Sequence, residues 1–449
     1  MPESPSFWSI SLVDPASLLA VDITAAFALV MVLARSRRPG ARWWLRVGTG
    51  AVVAGAAGLA LVWIVVDLAN AFDVPSSSAQ RVAVTAVSAI LGAVVVAGVT
   101  GRRRGSGVLA RLRLESIAAL VVTVLAGALA INGDIGLYRT VGQLVGENDL
   151  YPLALPPVTG NPVAFDARLD RRALDGDRQP ASGRVGSVQI PGTVSRFSAR
   201  DAYVYLPPAA LADDPPKLPV VILLSGQPGD PTKMLLAGRV SETADALART
   251  HHGLAPIIVV PDQLGRSDAN PMCVDGPLGD SAAYLTIDVP DWITTHLNVE
   301  TDRRAWAVGG FSQGGTCALQ FGAGHADLFG SFIDIAGQEG PRLSSRESSI
   351  AQGFGGDEAA YDAAQPTRLL QAHAPYPDSV GVFVAGEDDR RYGPVMREMS
   401  NRAEQAGMSV VRFAPGGSGH DWKTVAAGLR RGLETLWPRF GLGPVEGDR

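Results

Sequence analysis

The sequence GFSQG at residues 310–314 places a serine between a short apolar run and a stretch of helical character. This G-x-S-x-G spacing is typical of a nucleophile elbow, in which a strand ends, the chain turns sharply and a helix begins. Gly310 and Gly314 lack a Cβ, so the strand and the helix can approach each other closely around the serine. The N-terminus of the following helix also favours a developing oxyanion. We therefore predict that Ser312 is a nucleophile.

A nucleophile of this kind needs an acid and a base. Along the chain, the acid follows the serine and the basic histidine follows the acid. His420 is the last of six histidines and lies in a glycine-rich segment before a final helical stretch, so we predict that it is the base. The acid is expected in the turn GEDDR at 386–390, directly after an apolar run. The spacing G-x-x-D favours Asp389, while Asp388 and Glu387 remain alternatives.

The oxyanion of a tetrahedral intermediate needs two backbone N–H donors. One is expected at Gln313, the residue after the nucleophile. The other is expected in the loop Ser225–Gly229, which follows the apolar run Val220–Leu224, and by position it is the amide of Gln227. Pro228 cannot serve, because proline carries no N–H.

Short apolar runs that alternate with helical stretches predict the scaffold of this site. The runs interpreted as strands are Val185–Ile190, Tyr203–Leu206, Val220–Leu224, Pro256–Val260, Ala305–Val308, Phe332–Ile335, Val380–Ala385 and Val410–Phe413. The main helical stretches are Val240–Thr250, Leu285–Leu297, Gln313–His325 and Tyr392–Ala406. This alternation predicts an α/β fold with a mostly parallel sheet and helices on both faces. We assign it to residues 185–440, with an irregular linker at 141–184 and a tail at 441–449.

Residues 1–140 have a different texture, which predicts an α-helical membrane domain. Only 18% of the chain is charged, against about 25% in a soluble domain. Apolar runs at about 17–34, 47–69, 82–100 and 116–136 have nearly the length that crosses a bilayer. Asp22, Asp67 and Asp134 lie in or near these runs, and we interpret them as interfacial groups. A transport role is the alternative, since carboxylates inside a membrane can mark an ion path.

Arginine clusters follow the first and the third apolar run. They are Arg35, Arg37, Arg38, Arg42 and Arg46 after the first run, and Arg102, Arg103, Arg104, Arg111 and Arg113 after the third. The positive-inside rule places both clusters in the cytoplasm. The α/β domain is then predicted outside the plasma membrane. No basic stretch precedes the first run, so we do not expect a cleavable signal peptide.

A location outside the cytoplasm permits a bridge between the two cysteines, Cys273 and Cys317. The bridge would pin the loop around 262–280 to the helix after the nucleophile; two buried free thiols are the alternative. Asp262, Asn270 and Trp422 are predicted to line the pocket, because they follow strand ends or flank the histidine.

Four segments resemble the esterase-D-like branch of the α/β-hydrolase superfamily, which includes the antigen 85 mycolyltransferases. They are Ala202–Pro208, Leu224–Gly229, Gly309–Gly315 and Gly419–Trp422. With its four predicted spans, the chain also resembles actinobacterial membrane-anchored esterases. The resemblance implies Ser312 as the nucleophile, His420 as the base and an acid at 387–389.

These observations predict a membrane-anchored serine esterase that acts on an ester or lipid substrate. An acyltransferase that moves acyl groups to a sugar or lipid is the first alternative. The second is a transporter or sensor that carries a non-catalytic, hydrolase-like binding domain. The net charge of −5 argues against a nucleic-acid partner. No zinc-protease, P-loop or dinucleotide motif occurs, so no metal or cofactor is predicted.

Overall fold

The computed structural model describes residues 7–34, 40–71, 74–100, 106–148, 150–158, 180–213 and 215–443. The chain forms two compact units, Met1–Asn148 and Asp149–Arg449. The first unit thus extends beyond the predicted end at residue 140. Hydrogen bonds from Leu12 N to Arg139 O and from Val141 N to Ile10 O join its two ends.

Several predicted features lie outside the described residues. They include 159–179 of the predicted linker and 444–449 of the predicted tail. The same holds for Arg35, Arg37, Arg38, Arg102, Arg103 and Arg104, and for the side chains of Arg111 and Arg113.

The described residues of the first unit contain four long helices and a short fifth one. They are α1 (Pro15–Ala34), α2 (Ala41–Val62, continued by the π-helical segment Trp63–Leu68), α3 (Ser78–Thr100), α4 (Ser106–Ile135) and α5 (Val141–Val145), after a 3₁₀ turn at Phe7–Ser9. Helices α1 to α4 are long and apolar enough to cross a membrane, at the four predicted positions. Large apolar side chains such as Val52 and Val99 are exposed on them, at 71% and 79%. An apolar surface of this kind suits a membrane-embedded helix.

Small residues allow α2 and α3 to pack closely. A methyl group added at Gly58 would lie 2.7 Å from the Ser88 Cβ, and one at Gly92 would lie 2.5 Å from the Ala54 Cβ. Contacts between small residues are the usual way in which helices associate in lipid, where no hydrophobic force drives them together.

Two of the three predicted interfacial carboxylates, Asp67 and Asp134, bind the segment between α2 and α3. Asp67 accepts hydrogen bonds from Ser76 N at 2.8 Å and from Arg81 Nη2 at 3.1 Å. Asp134, near the end of α4, accepts one from Ser77 Oγ at 2.7 Å. These bonds connect the ends of three long helices through one loop.

The second unit contains an eight-stranded sheet in the order β1-β2-β4-β3-β5-β6-β7-β8. The strands are β1 (Arg184–Val188), β2 (Ala202–Leu206), β3 (Val220–Leu224), β4 (Ile257–Val260), β5 (Trp306–Phe311), β6 (Ser331–Ile335), β7 (Val380–Val384) and β8 (Ser409–Phe413). Strand β2 runs antiparallel to β1 and β4. Strands β3 to β8 are parallel to one another, which confirms the mostly parallel sheet.

Helices cover both faces of this sheet. The α-helices are Pro231–Ala237, Val240–Thr250, Ser281–Ala283, Val289–His296, Gln313–Gly324, Arg346–Ser348, Glu358–Ala363, Pro366–His373, Tyr392–Gln405 and Trp422–Leu436. Further 3₁₀ or π-helical segments occur at Pro208–Leu211, Tyr284–Asp288, Arg303–Ala305 and Ser349–Gly353. Neighbouring residues of β6 show the two layers. Phe332 packs against Gly322 of one helix, and Ile333 packs against Gly432 of another, because successive strand residues point to opposite faces.

Candidate active site

Ser312 occupies the sharp turn between β5 and the helix Gln313–Gly324, here called the nucleophile helix. Its backbone has φ +56° and ψ −116°, a conformation that residues other than glycine rarely adopt. Its N–H donates to Ile335 O at 2.8 Å. A Cβ on Gly310 would lie 2.8 Å from Leu224 O and would collide with the Gly314 backbone. The two glycines therefore allow the strand, the turn and the helix to meet around Ser312.

Asp389 is the carboxylate that pairs with His420. Its Oδ2 lies 3.2 Å from His420 Nδ1, and the two side chains are 1% and 8% exposed. The other oxygen, Oδ1, accepts hydrogen bonds from Tyr392 N at 2.8 Å and from Arg391 N at 3.1 Å. A carboxylate only accepts, so a hydrogen bond between these two atoms requires the ring proton on Nδ1, and Nε2 is then the ring nitrogen that can accept another.

The two alternative acids occupy other positions in the same turn. Glu387 and Asp388 are exposed, whereas Asp389 is buried. The Asp388 N–H donates to Ser418 O at 2.9 Å, and the Glu387 N–H donates to Pro415 O at 3.0 Å. These backbone bonds hold the turn after β7 against the histidine loop, and they leave Asp389 as the one that faces the ring.

Aromatic side chains hold the imidazole beside the elbow. The ring centroids of Phe311 and Tyr392 each lie 4.6 Å from that of His420. Phe311 directly precedes Ser312 in the chain, so the His420 ring packs against the residue next to the predicted nucleophile. Trp422, predicted to line the pocket, packs its ring on Phe311 at 5.2 Å. It begins the final helix, after an Asp421 side chain that accepts from Thr424 N.

The loop Ser225–Gly229 lies against the elbow, as the predicted oxyanion site requires. A Cβ on Gly226 would lie 3.6 Å from the Ser312 Cβ. The N–H of Gln313 belongs to the first turn of a helix, where backbone donors have no acceptor within the helix. Gln227 follows Gly226 at the tip of the loop, and its side chain donates to Asp268 O at 3.3 Å.

The predicted disulfide is present between Cys273 and Cys317, with a Cα–Cα distance of 5.6 Å. It attaches the loop after β4 to the nucleophile helix. Asn270, in the same loop, donates to Arg342 O at 3.1 Å and lines a small crevice with Gln313 and Thr316.

Asp262 does not face a pocket, in contrast to the prediction. Its side chain is fully buried and forms an ion pair with Arg200, with 2.7 Å between Arg200 Nη2 and Asp262 Oδ1. It also accepts hydrogen bonds from the backbone N–H groups of Leu264 and Gly265. A buried carboxylate needs such partners, and together they occupy both of its oxygens.

Comparisons with known proteins place the chain in a family. Residues 198–431 match the family model described as "Putative esterase". An uncharacterized protein of Corynebacterium glutamicum is 33% identical over 445 residues, which covers 97% of this chain and 98% of the relative. The chain belongs to this esterase family. The relative extends across both units of the esterase.

Solved structures resemble the second unit of the esterase. A ferulic acid esterase superposes with a TM-score of 0.50 at 18% identity, over 58% of this chain and 98% of its own. An S-formylglutathione hydrolase from Agrobacterium tumefaciens has a TM-score of 0.49 at 19% identity, over 59% and 98% of the two chains. The fold is therefore that of an esterase-D-like α/β-hydrolase, and the family supports an ester hydrolase.

Among the buried polar residues of this esterase, Gln263 and Asp334 lie close to the elbow and were not predicted. Gln263 follows β4 and contacts Ser225 and Gln313. Asp334 lies in β6, and burial raises the pKa of its carboxyl to about 8, against the opposing effect of a Gly337 N–H donor. That N–H lies 2.8 Å from Oδ1. A Cβ on Gly315 of the nucleophile helix would lie 2.6 Å from the same oxygen. One acidic residue in the apolar strand SFIDI was the signal for Asp334.

Proposed function

We propose that this esterase hydrolyses carboxylic esters through a Ser312–His420–Asp389 triad and an acyl-enzyme. The pairing of Asp389 with His420 beside the strained elbow of Ser312 is the observation that carries the proposal. His420 Nε2 takes the proton of Ser312 Oγ while this oxygen attacks the ester carbonyl carbon. The oxyanion then accepts hydrogen bonds from the N–H groups of Gln227 and Gln313.

The second half of the reaction follows from the same groups. The intermediate collapses, the bond to the alcohol oxygen breaks, and His420 gives its proton to the leaving alcohol. Water attacks the acyl-enzyme with His420 again as the base, which releases the acid and restores Ser312. Asp389 keeps the ring in the required tautomer and stabilises the imidazolium form. An alcohol of a sugar or lipid in place of water would make the same site an acyltransferase.

We further propose that helices α1 to α4 anchor the protein in the plasma membrane with the catalytic unit outside the cytoplasm. The arginine clusters after the first and third apolar runs support this orientation. The Cys273–Cys317 disulfide also supports it, because such bonds persist in oxidising compartments. The substrate is then an ester within reach of the membrane, such as a lipid or an ester of the cell envelope.

Labelling with a fluorophosphonate probe tests the chemistry. We expect the detergent-solubilised protein to be labelled and Ser312→Ala not to be. Equal labelling of both proteins, or a folded wild type that stays unlabelled, would refute the proposed mechanism and leave a non-catalytic role. Product analysis with added sugar or lipid alcohols then separates hydrolysis from acyl transfer.

Single-cysteine labelling of intact cells tests the orientation. Ser344 is exposed on the catalytic unit, and Arg42 is exposed near the start of α2. Each is replaced by cysteine in a separate variant, Ser344→Cys and Arg42→Cys. A membrane-impermeant maleimide should label the first variant and not the second. The reverse pattern would refute an extracytoplasmic catalytic unit.

A further inference from the structure

The side chain of Gln263 joins the two segments that carry the proposed oxyanion donors. It is completely buried, three residues after the end of β4. Its Nε2 donates to Ser225 O at 2.5 Å and to Gln313 Oε1 at 3.1 Å. Ser225 begins the loop of Gln227, and Gln313 directly follows the nucleophile. One amide nitrogen therefore bridges the two sides of the oxyanion site.

The orientation of the bridge is determined by its neighbours. Ser225 contributes a carbonyl oxygen, which can only accept, so the nitrogen of Gln263 must face it. Gln313 then accepts with its own oxygen and directs Nε2 to the disulfide, 3.2 Å from Cys317 Sγ and 3.7 Å from Cys273 Sγ. These contacts run from the loop Ser225–Gly229, here called the oxyanion loop, through the amides of Gln263 and Gln313 to the disulfide sulfurs.

Glycines lie where the loop Ser225–Gly229 and the elbow meet. A Cβ on Gly226 would lie 3.4 Å from Phe311 Cδ1 and 3.6 Å from the Ser312 Cβ, and a Cβ on Gly314 would collide with the backbone carbonyls of Leu224 and Ser225. Such a contact determines how closely the two segments can approach, but it provides no hydrogen bond that would keep the loop in place. The Gln263 amide provides that bond.

We propose that Gln263 is a positioning residue that maintains the spacing between the N–H groups of Gln227 and Gln313. The inference rests on the proposed function, since it assumes that these groups receive the oxyanion. Stabilisation of an oxyanion requires donors 2.7–3.1 Å from the place where its charge develops. A change in the spacing therefore weakens binding of the transition state more than binding of the ground-state ester.

Gln263→Met tests this role, because methionine fills a similar volume without donating a hydrogen bond. Loss of a direct oxyanion donor lowers kcat by roughly 100- to 1000-fold, and we expect about a 10- to 100-fold decrease for a residue that acts through the donors. KM for a small soluble ester and the pH profile should stay unchanged. The affinity for a boronic acid that mimics the tetrahedral intermediate should fall by the same factor as kcat.

Gln320→Met is the matched control. Gln320 is also a buried glutamine, on the nucleophile helix, but its Nε2 donates to Met272 O at 3.3 Å. We expect kcat per fluorophosphonate-reactive site to stay at the wild-type value in this variant. An equal decrease in both variants would overturn the proposal, because it would indicate a general loosening of the core. Unchanged kcat and boronate affinity in Gln263→Met would also overturn it.

A second variant keeps the test independent of the folding of the first. Gln313→Met retains the backbone N–H of residue 313 but removes the side-chain acceptor of Gln263. It should lower both kcat and boronate affinity and leave KM unchanged. Its effect should not add fully to that of Gln263→Met, since both variants break the bond between Gln263 Nε2 and Gln313 Oε1. Wild-type activity in Gln313→Met, or full additivity, would refute the bridge. A wild type that fluorophosphonate does not label would instead refute the proposed function.

Discussion

The buried carboxyl of Asp334 makes the stability of the catalytic unit depend on pH. Burial raises its pKa from the ordinary value of 3.8 to about 8. Within the described structure, the groups around it are uncharged: Gly310 and Phe383 on the neighbouring strands, Gly315 on the nucleophile helix, and the Gly337 N–H. The carboxyl is therefore protonated in the folded protein at neutral pH and ionised in the unfolded chain.

The direction of the effect follows from proton binding. Between about pH 4 and pH 8 the folded state holds a proton that the unfolded state has released, so the free energy of unfolding falls as pH rises. The slope approaches about 1.4 kcal/mol per pH unit for one such group. Asp334→Asn has nearly the same shape and still accepts from the Gly337 N–H through its amide oxygen, but it does not titrate. We expect this variant to lose the slope that Asp334 contributes.

Thermal unfolding of the purified full-length protein from pH 5 to pH 8 measures this effect. The midpoint of the wild type should fall relative to that of Asp334→Asn as pH rises. Asp302→Asn is the control. Hydrogen bonds from the Arg304 side chain and backbone lower the pKa of exposed Asp302 to about 2, so its charge is constant over this range. Parallel curves for the wild type and Asp334→Asn would refute the assignment of a neutral buried acid.

Three further variants test other parts of the catalytic unit. Asp389→Asn should lower kcat by about 10⁴-fold, because the histidine loses its tautomer control; steady-state kinetics within tenfold of the wild type would contradict the triad. The double variant Cys273→Ser/Cys317→Ser should have a free energy of unfolding lower by on the order of 4 kcal/mol, because the two cysteines are separated by 44 residues in the chain. Urea unfolding measures this loss, and equal midpoints for the variant and the oxidised wild type would contradict it. Gly310→Ala should abolish fluorophosphonate labelling, because its methyl group collides with the Gly314 backbone; normal labelling would show that the elbow tolerates a Cβ.

Features encoded by neighbouring residues could be predicted from the sequence alone. The four apolar runs have the length and hydropathy of spanning helices, and the structure has helices at each of them. The run Val220–Leu224 and the stretch Val240–Thr250 match a strand and a helix with the same limits. The turn at Ser312 also follows from local glycine spacing. In each case the signal depends on residues close together in the chain, where periodicity and backbone sterics act.

Tertiary structure decided which side chains meet. Asp389 was one of three adjacent carboxylates, and only the packing of the β7 turn against the histidine loop, 31 residues later, selects it. Asp262 was expected in the pocket until the fold placed Arg200 beside it, 62 residues away in the chain. Gln263 contacts Ser225 and Gln313 across separations of 38 and 50 residues. Such contacts leave no periodic signal, because they arise when parallel strands bring the ends of distant segments to one edge of the sheet.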